Sequence, residues 1–450
     1  MGRRSALLLL AVFPAAFLIV GGCRAKPPQR WNVVMLMVDT LRADRLSFYG
    51  YARPTAPHLA QLARSGVVLR NARSQAGCTY PSVSSIFTSR WPQHFINRQE
   101  KYGMGIPDDT PTLAEILLRH GYSTAAVSTS IIVRATPSEI NYQGGYGHGF
   151  QSFDETCLEK SAECVNELAG PLTRKLRQPF FLYLHYLDPH PPYRPPPSHE
   201  NRFAVDPPRQ RWVRRGEPTP LVRRLYDGDT TRTYDAADVR YLSDLYDDEI
   251  SFLDQSLAEI MDGLRAGGLL DHTVVVLLAD HGEELLDHGE WGHCRNIAYE
   301  TVLHTPMVFW IPGGPQGERN HLALNLDVVP TLLDLLKVPY DPAAFAGQTL
   351  RPLLDGDRPV HDIALAMQGT SRVASDGRYK LWLDLAGGPP RLFDLQRGEG
   401  APARDVDRRA AAGLRTALLA WLEHEEAGAR GDSLRRAQEG TARLKALGYL

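Results

Sequence analysis

The stretch Thr273-Val-Val-Val-Leu-Leu-Ala-Asp280-His281-Gly282-Glu283 decides the fold. A continuous apolar run of this length, without alternation, reads as a strand buried on both faces, the habit of parallel sheets. It stops on an Asp-His pair. Val33-Val-Met-Leu-Met-Val38 has the same texture and stops on Asp39. In open parallel sheets, ligands bind beyond the carboxyl ends of the strands, so the two acidic ends point at one place. Pro179-Phe-Phe-Leu-Tyr-Leu-His-Tyr186 reads as a third strand and runs into the turn Asp188-Pro-His190-Pro-Pro-Tyr193.

Helical patterns alternate with these runs. Asp109-Thr-Pro-Thr-Leu-Ala-Glu-Ile-Leu-Leu-Arg-His120 carries helix-start chemistry, stops at Gly121, and is followed by a strand over 123–127. Residues 241–264 set Leu242, Leu245, Ile250, Leu253, Leu257, Ile260 and Leu264 at the spacings of a long amphipathic helix. Such alternation predicts an α/β fold with a mostly parallel central sheet and helices on both faces. From about residue 360, short apolar runs at 363–367, 372–376, 379–384 and 391–395 alternate with Gly and Pro turns, and helical stretches follow at 405–425 and 433–447. The expected organisation is a catalytic core over 32–358 and a small C-terminal antiparallel α+β subdomain over 359–450.

With 450 residues, the chain has room for one large domain and a smaller one. Its 50 basic and 52 acidic residues leave a formal charge of −2, which argues against a general nucleic-acid binder. Residues 1–23 read as a signal peptide: Arg3-Arg4 precede an apolar run over 6–20, and Val20-Gly21-Gly22-Cys23 resembles a bacterial lipobox with Cys23 lipidated. A tether over 24–31 follows. The expected location is the bacterial cell envelope, in the periplasm or at the cell surface, with an N-terminal lipid anchor as the membrane contact. An ordinary cleaved signal or an uncleaved anchor is the alternative. Cys157 and Cys164 are close enough to form a small disulfide loop, whereas a Cys78–Cys294 pair stays open. The Arg-rich stretch 201–232 has no clear periodicity and reads as a solvated loop rather than an anion-greeting one.

Six side chains collect the chemistry: Asp39, Thr79, His190, Asp280, His281 and His293. In Gly77-Cys78-Thr79-Tyr80-Pro81-Ser82, Thr79 falls where a helix N-cap would lie, with Pro81 in the first turn. Amides at a helix start favour a tetrahedral anion beside that hydroxyl. A threonine hydroxyl is a poor nucleophile at neutral pH. A divalent cation remedies this, since it lowers the pKa of coordinated water from about 15.7 to about 7. Asp39, Asp280 and His281 offer two oxygens and one nitrogen, with Thr79 as a further ligand. That mixture favours one zinc or manganese ion, with calcium or magnesium as alternatives. His190 and His293 then contact the anionic group or protonate the leaving oxygen. Asp44, Glu283 and Asp327 read as structural.

These stretches also carry a family resemblance. Asn32-Val-Val-Met-Leu-Met-Val-Asp-Thr-Leu-Arg-Ala-Asp44, residues 179–193 with Asp188-Pro-His190, and Ala279-Asp-His-Gly-Glu283 are joined by Asp327-Val-Val-Pro-Thr-Leu-Leu333, Leu392-Phe-Asp-Leu395 and Leu447-Gly-Tyr-Leu450. In this order they resemble the sulfatase branch of the alkaline-phosphatase superfamily over residues 32–450. The resemblance implies a metal-dependent ester hydrolase or phosphotransferase acting on an anionic ester, sulfate or phosphate.

The departures bear on the chemistry. Sulfatases of the usual type carry Cys-x-Pro-x-Arg, whose Cys becomes formylglycine. Aligned on Pro81, this chain has Thr79 at the nucleophile position and Val83 in place of the Arg, with Cys78 off by one. Thr40 replaces the second Asp of the first strand's Asp pair, and Ser128-Thr129-Ser130 stands where a lysine-bearing segment is expected. The remaining set is similar to phosphoethanolamine and phosphoglycerol transferases of the same superfamily, which use a metal-bound Thr. The expectation is an exported enzyme that hydrolyses or transfers a phosphoester-type group through Thr79. The alternatives are a sulfuric ester hydrolase acting on a sulfated glycan or small ester, and a catalytically inactive binding protein on the same fold.

Overall fold

Strand β1 (Asn32–Val38) is buried over its full length. Its one polar side chain is satisfied, because Asn32 Oδ1 accepts from the Phe180 amide at 3.1 Å. The other strands of the central sheet are β2 (Val67–Arg73), β3 (Ser123–Ser128), β4 (Ser152–Asp154), β5 (Phe180–Tyr186), β6 (Thr273–Ala279), then, past a hairpin of β7 (Glu284–Leu285) and β8 (Trp291–Gly292), β9 (Met307–Trp310) and β10 (Gly317–Leu324). The computed structural model describes residues 30–159, 161–203, 235–294, 297, 299–399 and 408–428. The expected signal segment with Cys23, most of the expected tether, nearly all of the Arg-rich stretch, the helix expected at 433–447 and the terminal Leu447-Gly-Tyr-Leu450 lie outside the described residues.

Among the described residues the eight strands lie in the order β10-β2-β9-β6-β1-β5-β3-β4. All neighbours are parallel except at β9, which runs against both β2 and β6. Successive side chains of a strand face opposite sides, and here each side has its own core. Val34, Leu36 and Val38 pack toward the helices Ala162–Lys175 and Ala236–Ala266. Val33, Met35 and Met37 pack toward the helices Thr79–Thr88, Leu113–Arg119 and Val328–Leu335. Burial on both faces is why these strands show no alternation in the sequence. The fold is therefore a mostly parallel α/β sheet with a small antiparallel sheet behind it.

That second sheet has four strands in sequence order, β11 (Ala364–Gln368), β12 (Ser371–Ser375), β13 (Tyr379–Asp384) and β14 (Arg391–Asp394). Leu414, Leu418, Trp421 and Leu422 of the helix Arg408–Gly428 close its apolar face against Met367, Leu381 and Leu383. The long amphipathic helix begins at Ala236, earlier than its apolar periodicity, because Asp235 and Asp238 form a capping box whose residues carry no apolar signal.

The two sheets meet at a buried ionic joint. Lys380 of β13, fully buried, pairs with Glu399 and, at 3.3 Å, with Glu300. Glu300 also takes the guanidinium of Arg73, at the end of β2, at 2.7 Å. One step along, the Met367 amide of β11 donates to the Gln75 carbonyl at 2.9 Å. Removing one partner of a buried ion pair strands the other charge and costs about 3–5 kcal/mol. Lys380→Met is expected to lower unfolding stability by about that much, read as a shift of the urea midpoint at unchanged m-value.

Candidate active site

Register brings the acidic strand ends together. Val38 lies beside Ala279 on one side and Tyr186 on the other, so Asp39, Asp280 and Leu187 leave the sheet at one level. The chain then turns sharply. Thr40 adopts a left-handed backbone (φ 56°), uncommon for a β-branched residue. That turn directs the Thr40 amide to Asp280 Oδ1 at 3.1 Å, which also accepts from the His281 amide at 2.8 Å. Gly282 is needed where the chain passes Thr301, since a Cβ there would collide with the Thr301 carbonyl oxygen.

One oxygen of each carboxylate is left over. Asp39 Oδ1 and Asp280 Oδ2 are buried without a hydrogen-bond partner among the described residues. Ligand atoms of Asp39, Asp280 and His281 lie within 4.8 Å of one another. A carboxylate oxygen buried without a partner is costly, and two aimed at a histidine nitrogen make a cation site. His281 Nδ1–H donates to the Gly282 carbonyl at 2.9 Å, which leaves the Nε2 lone pair facing the carboxylates. Thr79 Oγ1 stands 3.4 Å from that Nε2. The donor set fits a divalent metal held by Asp39, Asp280 and His281, with Thr79 beside it.

The electrostatics follow from burial and neighbours. Burial pushes the Asp280 carboxyl well above its usual range, and the charge of Asp39 adds to this. Burial also opposes ionisation of Asp39, but His185, His190 and His281 outweigh it and hold that carboxyl below its usual range. Burial lowers His281 to about 3, helped by the charge of His293, so it is a neutral ligand at any ordinary pH. Burial lowers His190 as well. Its Nδ1–H donates to the Pro191 carbonyl at 2.6 Å, so its Nε2 is an acceptor.

His293 is the opposite case. Burial pulls its pKa down, but Glu283, 3.1–3.2 Å from Nδ1, overcomes that and raises it to about 9. It is a cation at neutral pH. Its ring lies 4.7 Å from that of His281 and 5.0 Å from that of His190. Asp39, Thr79, His190, Asp280, His281 and His293 thus form one cluster at the carboxyl edge of β1, β5 and β6.

Three features differ from the sequence reading. Thr79 is not the N-cap: extended Cys78 is, and Thr79 is the first helical residue, with the Cys78 carbonyl accepting from the Ser82 amide at 3.1 Å. Glu283 is not merely structural, because the hairpin of β7 and β8 folds His293 back onto it. His185, within the apolar run of β5, points its Nε2 at Asp39 Oδ2 at 3.5 Å. Asp44 pairs with Arg42 at 2.8 Å and Asp327 with His361 at 2.9 Å, both away from the cluster. Both cysteine pairs are bonded, Cys157–Cys164 and Cys78–Cys294.

The sulfatase family profile matches residues 31–338, about two-thirds of the chain, and the chain belongs to that family. It is a sulfatase-family hydrolase. Arylsulfatase K of Gallus gallus is 26% identical over 460 residues, covering 88% of this chain and 83% of that protein. Iduronate 2-sulfatase of Homo sapiens is 23% identical over 339 residues, covering 63% of this chain and 60% of that protein. Among solved structures, the phosphonate monoester hydrolase SpPMH from Silicibacter pomeroyi superposes with a TM-score of 0.71 at 20% identity, over 88% of this chain and 95% of that one. A structure in complex with its substrate D-glucosamine-2-N,6-O-disulfate gives 0.68 at 16% identity, over 91% of this chain and 99% of that one. At these identities the structural likeness speaks for the fold.

Two outcomes are expected. The stability that the Glu283–His293 pair adds is full below the ordinary histidine pKa and is lost as pH rises through about 9. The urea stability gap between the native chain and Glu283→Gln should therefore be largest near pH 6 and close by about pH 10. Asp280→Asn keeps an acceptor for the Thr40 and His281 amides. It should leave metal-free stability within about 1 kcal/mol but abolish the gain, about 2.7 kcal/mol at a hundredfold excess over Kd, that zinc or manganese brings to the native protein.

Proposed function

We propose that this enzyme hydrolyses or transfers a phosphoester-type group with Thr79 as the nucleophile. One observation carries the reading: Cys78, the cysteine nearest the nucleophile position, is bonded to Cys294 and offers no thiol for conversion to formylglycine. Thr79 meanwhile starts a helix and faces the carboxylate–histidine cluster.

A bound divalent cation would supply a lower pKa for the Thr79 hydroxyl and charge neutralisation at the reacting group. The protein does the rest. Thr79 Oγ, its hydroxyl proton released to solvent and returned from solvent when the intermediate is resolved, forms the bond to phosphorus while the bond to the leaving oxygen breaks. His293, cationic and with Nδ1 held by Glu283, gives its Nε2 proton to that oxygen. His190, neutral and with Nε2 as an acceptor, takes the proton of the water or acceptor alcohol that resolves the intermediate. Asp39, buried and ionised, keeps the pocket anionic enough to need the cation.

The family relatives favour a second reading, a sulfuric ester hydrolase, because proteins named arylsulfatase K and iduronate 2-sulfatase align over most of the chain. A threonine sulfate ester would need direct attack by water at sulfur, whereas formylglycine releases sulfate by elimination. We further assign the enzyme to the exported, lipid-anchored class with Cys23 as the attachment point; two disulfides support an oxidising compartment.

Turnover of p-nitrophenyl sulfate, p-nitrophenyl phosphate and a p-nitrophenyl phosphodiester, with zinc or manganese added, tests this. Thr79→Ala is expected to lose phosphoester cleavage by roughly a thousandfold, and Thr79→Ser to keep part of it. Sulfate turnover that survives Thr79→Ala and disappears with Cys78→Ala would establish the sulfatase reading instead.

A further inference from the structure

We propose that the Cys78–Cys294 disulfide is a positioning cross-link that keeps His293 and Thr79 on the same side of His281. Opening it separates the proton donor from the nucleophile. The inference rests on the Thr79 reading above.

Most of the cluster is fixed by the central sheet, and the Thr79 helix is tied to it by Ser82 Oγ, which donates to the Asp280 carbonyl at 2.7 Å, whereas His293 lies on a hairpin outside it. His293 follows β8, which pairs with β7 through Glu284–Gly292 and Leu285–Trp291, the Leu286 amide donating to the Glu290 carbonyl at 2.9 Å in the turn. A two-stranded ribbon is marginal by itself. Thr79 sits at the start of a helix, beyond the loop that leaves β2. Neither register nor strand order sets the distance between them. Two links do so directly. The Cys294 amide donates to the Gly77 carbonyl at 2.7 Å, and the Cys294 sulfur is bonded to Cys78, 216 positions away in sequence. They tie the residue after His293 to the two residues before Thr79.

The surroundings support a built junction. A Cβ on Gly77 would lie 2.5 Å from Ile297 Cγ2 and 2.7 Å from Val302 Cγ1, so only glycine lets the two segments approach this closely. Cys294 holds a left-handed backbone (φ 67°), a state that persists in a non-glycine residue only where its surroundings over-determine it. The Glu283 pair anchors the His293 ring to its own hairpin and not to Thr79. The cross-link is therefore the covalent part of the His293–Thr79 spacing. The other disulfide, Cys157–Cys164, closes a seven-residue separation at the helix Ala162–Lys175 and serves as an internal control.

A dithiol reductant opens the bond in two exchanges. The first thiolate attacks one sulfur and displaces the other. The second releases the remaining mixed disulfide, leaving two protein thiols and the reductant as its cyclic disulfide, with two electrons and two protons passed to the protein.

The test uses the metal-loaded full chain and two esters of one phosphoryl group, with p-nitrophenol or a simple alkyl alcohol as the leaving group. p-Nitrophenolate departs without a proton, whereas an alkoxide needs one. Cys294→Ser is expected to lower kcat roughly a hundredfold on the alkyl ester and less than about fivefold on the p-nitrophenyl ester, with KM nearly unchanged. Added to His293→Ala, it should cost less than about twofold more, because both act on one proton. Cys157→Ser with Cys164→Ser should leave both rates within about twofold. Should Cys294→Ser fail to fold, the folded native enzyme treated with dithiothreitol, with thiols counted by titration, gives the same comparison. Equal losses on both esters, or full alkyl turnover with the Cys78–Cys294 bond open, overturn the proposal. Thr79→Ala is assayed alongside: activity retained there sinks the Thr79 reading itself, whereas a normal Thr79→Ala loss with a leaving-group-blind Cys294→Ser sinks only the cross-link.

Discussion

Two carboxylates, Asp39 and Asp280, are buried at one level of the sheet, each with an oxygen that nothing among the described residues satisfies. Two such buried charges would repel, and in response burial and the charge of Asp39 push the Asp280 carboxyl well above its usual range. The chain tolerates this only because surrounding groups are turned inward to match: the Thr40 and His281 amides on Asp280, and His185, His190 and His281 around Asp39. The left-handed turn at Thr40 and the His281 that follows Asp280 both serve that pair. A divalent cation resolves the conflict at once, which is why the same residues fit a metal.

The three histidines that flank the pair divide their duties by environment. His281 has its Nδ1 proton committed to a carbonyl and its lone pair facing in. His190 has the same tautomer and is kept neutral by burial. His293 alone has a carboxylate behind it and is cationic. One residue type thus presents an inward lone pair, a neutral acceptor and a cation, with His293 4.7 Å from the His281 ring and 5.0 Å from the His190 ring. The difference comes from what each Nδ1 touches.

Much of this was legible in the sequence. Strands buried on both faces leave continuous apolar runs, and the runs ending at Asp39 and Asp280 announced both the parallel sheet and the metal-fitting residues. The antiparallel C-terminal sheet was legible from its Gly and Pro punctuation. Other features were not, for definite physical reasons. Glu283 looks like one more turn residue until a hairpin brings it back to His293 ten positions on. His185 sits in an apolar strand and reads as core. The pairing of Cys78 with Cys294 spans 216 positions and depends on tertiary geometry that spacing does not encode. Thr79 missed the N-cap by one residue because the cap is set by the extended backbone of Cys78, not by side-chain type.

The joint between the sheets has a consequence for how such a chain can diversify. Arg73 leads directly into the loop that presents Thr79, and it shares the Glu300 carboxylate with Lys380 of the second sheet, while Gln75 in that loop accepts from β11. A recombination breakpoint near residue 359 would separate Lys380 from Glu300 and the Met367 amide from the Gln75 carbonyl. Exchanging the C-terminal sheet would therefore disturb the loop that carries Thr79.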